Sequence, residues 1–104
     1  RNKHMPMAAR NTDDILTGHP CDVTSTIVAT KAVKVFIQGQ MAAVIGDAIA
    51  PHTILAGTSC VPHAAVTGPG STKVFCGGFS ANRVGDVADM GAIISGSTKV
   101  IIGG

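Results

Sequence analysis

Leaving aside His4 and Cys76, five side chains of this sequence suit a soft or borderline metal ion, and they fall in two stretches. His19 and Cys21 lie within residues 14–33, and His52, Cys60 and His63 lie within residues 48–72. In His19-Pro20-Cys21 the two donors stand at i and i+2, on the same side of an extended segment. Cys60-Val61-Pro62-His63 has the two-residue spacer common in zinc loops. Imidazoles and thiolates gathered by loops are the donor set of a tetrahedral zinc site, and either Cys-containing pair can supply a thiolate.

The chain has three cysteines, at 21, 60 and 76. An odd number excludes a complete disulfide framework within one chain. In a reducing compartment metal ligation is the favoured reading for some of them. Cys76 is the exception, because it follows a strand pattern and reads as a small buried hydrophobe.

The elements that must position these groups emerge when the chain is slid along itself. Ala8-Ala9-Arg10-Asn11-Thr12-Asp13 aligns with Ala42-Ala43-Val44-Ile45-Gly46-Asp47 and with Ala81-Asn82-Arg83-Val84-Gly85-Asp86. A second block follows in the same order: Lys34-Val35-Phe36-Ile37-Gln38-Gly39, Lys73-Val74-Phe75-Cys76-Gly77-Gly78 and Lys99-Val100-Ile101-Ile102-Gly103-Gly104. Three copies are expected, at about 6–39, 40–78 and 79–104, in a single domain. The insertions between the blocks measure 20, 25 and 12 residues, so they read as loops, and His19, His52 and His63 lie in the first two.

Within the second block, alternation sets Val35, Val74 and Val100 on one face with Ile37, Cys76 and Ile102, as in a half-buried strand. The Gly residues then turn the chain, and Gly46-Asp47 and Gly85-Asp86 supply further turns. Met41 to Ile49 is the only helix-like stretch, and Gly46-Asp47 breaks it. The expected fold is all-β, built of short strands and Gly-rich turns. Units that cannot bury their faces singly should pack around a common axis with pseudo-threefold symmetry.

These registered copies resemble the PAAR-repeat proteins over residues 6–104. No copy is literal: Met7 splits Pro6 from Ala8-Ala9-Arg10, and the other two read Met41-Ala42-Ala43-Val44 and Ser80-Ala81-Asn82-Arg83. The resemblance implies a cone whose base sits on a trimeric β-helical spike of the VgrG or phage-spike type. It also implies an apical metal held by three His and one Cys. On this sequence that set is His19, His52 and His63 with Cys21, and Cys60 is the alternative thiolate. Cys21 is preferred because the second insertion already gives two histidines. In the third insertion Asp86-Val87-Ala88-Asp89-Met90-Gly91 offers Met90, a poor zinc ligand. The implied ion is Zn²⁺, ahead of iron, and four protein ligands would make it structural.

Family members cap spikes in type VI secretion systems and contractile phage tails. The implied function is therefore a structural tip that sharpens the spike for membrane puncture, not an enzyme. It would be made and assembled in the cytoplasm, delivered outward, and meet the target membrane transiently. A small zinc-binding enzyme or metal-binding module, and an adaptor recruiting toxin effectors, are the alternatives. The sequence closes on the third copy, so no appended toxin domain is expected.

Composition agrees with this reading. The formal net charge is +2, and setting aside residues 1–5 as a cloning remnant removes Arg1 and Lys3 and brings it to 0. No polybasic run or basic aromatic stripe exists, so a nucleic-acid partner is not expected. No apolar run approaches a bilayer span. There is no nucleophile elbow and no phosphate-cradling Gly-rich motif, and no small-molecule substrate is expected. Asp47 and Asp86 read as turn residues, Arg10 and Arg83 as ties to a neighbouring carbonyl or carboxylate, and Asp13, Asp14 and Asp22 as solvated.

Overall fold

The computed structural model describes residues 6–103, all of them in strands, bridges, turns or irregular segments and none in a helix. The expected cloning remnant lies outside the described residues. In chain order the strands are β1 (Asp14–Leu16), β2 (Thr24–Val28), β3 (Phe36–Ile37), β4 (Gln40–Met41), β5 (Ala48–Ile49) and β6 (His52–Ala56). They continue with β7 (Ser59–His63), β8 (Phe75–Cys76), β9 (Phe79–Ser80), β10 (Val87–Ala88) and β11 (Gly91–Ala92). The pairs β3–β4, β6–β7, β8–β9 and β10–β11 form two-stranded sheets, and β1–β2–β5 forms a three-stranded one. The chain is all-β, as expected, with strands too short for any one sheet to stand alone.

At the centre the three Ala-rich segments close a ring. Ala9 N–H donates to the Asn82 carbonyl (3.0 Å), Asn82 N–H to Ala43 (2.9 Å), and Ala43 N–H to Ala9 (3.0 Å). The ring explains the small residues at these positions, since three backbones meet there. It also divides the interior in two by strand alternation. Ala8, Ala42 and Ala81 join Ala32, Ile37, Cys76 and Ile102 in one cluster. Ala9 and Ala43 join Ile15, Ile27, Ile49, Ala88 and Ile93 in the other. Cys76 is free and buried, as its place in the strand pattern predicted.

Each segment ends in the same turn. The carboxylate of Asp13, Asp47 or Asp86 accepts the backbone N–H three residues earlier, at Arg10 (2.7 Å), Val44 (2.8 Å) and Arg83 (2.8 Å). The residue before each Asp has positive φ: Thr12 (73°), Gly46 (85°) and Gly85 (96°). Arg10 and Arg83 close two-pronged ion pairs on Asp13 and Asp86, each with an N···O distance of 3.0 Å. The turn role of Asp47 and Asp86 and the tying role of the two Arg residues thus follow the sequence. Asp13 does not follow it: expected to be solvated, it is buried by this pairing.

On one side of the ring, β3–β4 and β8–β9 turn through Gln38-Gly39 and Gly77-Gly78, all four with positive φ. Such turns match the twist of a tight hairpin. Among the described residues no strand follows the third block, and residues 6–7 pair with it. Met7 bridges to Ile101, and Ile102 N–H donates to the Pro6 carbonyl (2.9 Å).

Candidate metal centre

The three insertions leave the Asp turns on the other side of the ring. Each begins with a buried residue two places after the turn Asp, namely Ile15, Ile49 and Ala88, and each returns through Ile27, Thr67 or Ile93. On their return Ile27, Thr67 and Ile93 donate their N–H groups to the backbone carbonyls of Asp13, Asp47 and Asp86 respectively. This anchors three projections at matched points, and their inner ends must converge.

His19 comes from the irregular link between β1 and β2, where its N–H is fixed by Thr17 Oγ1 (3.0 Å). His52 and His63 face each other at the inner end of the β6–β7 hairpin. Asp89 occupies the two-residue loop of β10–β11. That loop nests against the first insertion: Met90 N–H donates to the Thr17 carbonyl (3.1 Å), and a Cβ at Gly18 would lie 2.6 Å from the Met90 carbonyl oxygen. A Cβ at Gly91 would collide with the Leu16 carbonyl oxygen. Both glycines are thus needed for the approach.

The result is a cluster of His19, His52, His63 and Asp89 whose ligand atoms all lie within 4.8 Å of one another and could hold a metal ion. All three Nε2 atoms point at one carboxylate: His19 at 3.0 Å from both oxygens, His52 at 2.6 Å and His63 at 3.2 Å. The His52 Nδ1 lies 2.9 Å from the Ala50 carbonyl. A carbonyl only accepts, so Nδ1 carries the proton and Nε2 is left to face the cluster, the outer-shell device that orients metal-bound imidazoles.

Charge decides what this centre needs. With its Nδ1 proton on the Ala50 carbonyl, a neutral His52 sets a lone-pair-bearing Nε2 against the Asp89 carboxylate at 2.6 Å, so a proton or a metal ion must sit between those two groups. Burial works against the charged form of His52, yet the Ala50 carbonyl and the carboxylates of Asp89 and Asp22 outweigh it and raise its pKa. Burial likewise works against ionised Asp89, and the hydrogen bonds from His19, His52 and His63 outweigh it and lower its pKa.

The structure therefore unites the three predicted histidines but not the predicted thiolate. Cys21 and Cys60 are joined to each other in a disulfide, so neither the preferred nor the alternative sulfur is a ligand. The expectation failed because the two stretches that carry the histidines also bring these cysteines within bonding distance. Asp22, expected to be solvated, accepts hydrogen bonds from the N–H (2.7 Å) and hydroxyl (2.8 Å) of Thr53. Asp89, the fourth group, lies beside Met90 and is not in the ligand set expected from the sequence. Its signal was its position, in the third insertion at the level where the other two deliver histidines. No family model matches the chain, and no curated protein matches it.

Proposed function

We propose that this chain is a PAAR-like spike tip: a pseudo-threefold cone that caps a trimeric β-helical spike of a contractile injection machine and is stapled at its apex by a metal ion. The observation that carries the reading is the matched apolar set on the side of the ring away from the histidines. Phe36, Phe75 and Ile101 stand at equivalent positions and are 59%, 58% and 54% exposed. Their strand neighbours Ile37, Cys76 and Ile102 are buried. Three chemically similar paired edges with outward apolar residues suit a threefold partner, although a single chain meets three.

At the other end the histidine and carboxylate donors suit zinc, which accepts both in four-coordinate sites, and iron remains the second candidate. His19, His52, His63 and Asp89 would hold the ion, which would tie together three projections that share little core. The tip would be assembled on its spike in the cytoplasm and carried outward with it. Phe75→Asp and Ile101→Asp, introduced together, should abolish capture by a VgrG-like or phage-spike trimer while bound metal is retained. If the metallated parent chain binds no such trimer, the spike-tip reading is wrong.

A further inference from the structure

The β6–β7 hairpin supplies two of the four donors, yet among the described residues no other strand pairs with it. Sideways it is tied to the segment carrying His19 by three features: the Cys21–Cys60 disulfide, the Asp22 hydrogen bonds to Thr53, and the histidine cluster itself. Cys21 is two residues from His19, and Cys60 is three from His63. The sulfur bridge thus joins both histidine-bearing segments without being a ligand. Cys60 is exposed, so a small thiol can reach the bond.

We propose that the Cys21–Cys60 disulfide is an oxidative latch that sets the affinity of the His19/His52/His63/Asp89 site for a divalent metal. The proposal rests on the metal reading given above. With the latch closed, the imidazoles of the two segments are held near their bound positions, and binding need not order two independent loops. With the latch open, each segment must be ordered by the ion itself. The co-reactant is a thiol of the glutathione class. One thiolate attacks a protein sulfur, the S–S bond breaks and a mixed disulfide forms. A second thiol then releases it, leaving two protein thiols and one small-molecule disulfide, a transfer of two electrons. For a spike tip, the latch is open in the reducing cytoplasm of assembly, and in an oxidising compartment it closes by the reverse exchange, in which a small-molecule disulfide of the glutathione class takes the two electrons and leaves as two thiols.

The test is a titration with Co²⁺ of three forms, each carrying Cys76→Ser to prevent reshuffling: oxidised, reduced with a phosphine, and Cys21→Ser/Cys60→Ser. Amide exchange at Ala9, Ala43 and Asn82 reports whether the central ring persists. The oxidised form should bind one ion, and the other two should bind it about 10–100-fold more weakly, the range typical when an outer-shell support is lost. Ring amides should stay protected throughout. Affinities equal within a factor of about two among the three forms would overturn the latch alone, since the expected loss is far larger. So would tighter binding by the reduced chain with a thiolate-to-cobalt absorption band, or loss of ring protection on reduction. Absence of binding by every form would overturn the metal reading as well.

Discussion

Thr12 and Asp89 both have positive φ, for opposite reasons. Thr12 (73°) stands where the matched turns have Gly46 and Gly85, and a β-branched residue pays there for its Cβ. The left-handed conformation costs such a residue roughly 1–2 kcal/mol, and the extra entropy of an unfolded glycine returns part of it. Thr12→Gly should therefore raise stability by about 0.5–1 kcal/mol in urea unfolding, with unchanged m-value. Asp89 (55°) belongs to a residue type that tolerates this region, so one side chain can both make the loop and face the histidines. That double fitness hid it in the sequence, where Asp89 stands between Ala88 and Met90 with no other ligand-type residue in its insertion. The histidines were legible because few other roles explain three of them in two loops.

The same residues give the metal-free chain a pH window. His52 has a raised folded pKa, so its contribution is full below the ordinary imidazole value and is lost as pH rises through the raised one. Asp89 has a lowered folded pKa, so its contribution is present above the ordinary carboxylate value and is lost as pH falls through the lowered one. Between these limits the two attract. Metal binding needs neutral imidazoles, so the stabilisation added by an ion should grow as pH rises. Melting curves with and without chelator, from about pH 4 to pH 9, should diverge toward the alkaline side. Curves that diverge toward acid would contradict the assignment.

At the scale of elements, the short β10–β11 hairpin matters beyond its length because it delivers Asp89 through a glycine contact. Gly91→Ala should push β11 off the Leu16 carbonyl, lower stability by roughly 1–3 kcal/mol and weaken metal binding. Both changes should appear together in denaturant unfolding and metal titration; weakened stability with unaltered metal affinity would place Asp89 outside the site. The disulfide belongs to this scale too. It closes a loop of 39 residues, for which chain entropy gives roughly 4 kcal/mol in the oxidised state. Composition could show that three cysteines cannot all pair internally, but not that two would. Which of Cys21 and Cys60 bound metal was the wrong alternative, since pairing depends on how near the first insertion passes to the β6–β7 hairpin, and no spacing within either stretch encodes that distance.

For the whole molecule, the sequence carried the order of the blocks, and with it the all-β character and the alternation of Ile37, Cys76 and Ile102 toward the interior. It did not show the backbone ring of Ala9, Ala43 and Asn82, because such a ring is a relation among three distant segments. The ring leaves a hydrophobic cluster on each side, and neither cluster includes a residue of the β6–β7 hairpin. The convergence of the projections is held by the Cys21–Cys60 disulfide, by the Met90–Thr17 and Thr53–Asp22 hydrogen bonds and by the histidine cluster. The most direct measurement is elemental analysis, after dialysis against a weak chelator, of the parent chain beside folded Asp89→Ala and His52→Ala variants. One ion per chain in the parent and little or none in either variant is the predicted result. A parent without metal, or an Asp89→Ala variant that keeps its ion as firmly as the parent, would contradict it.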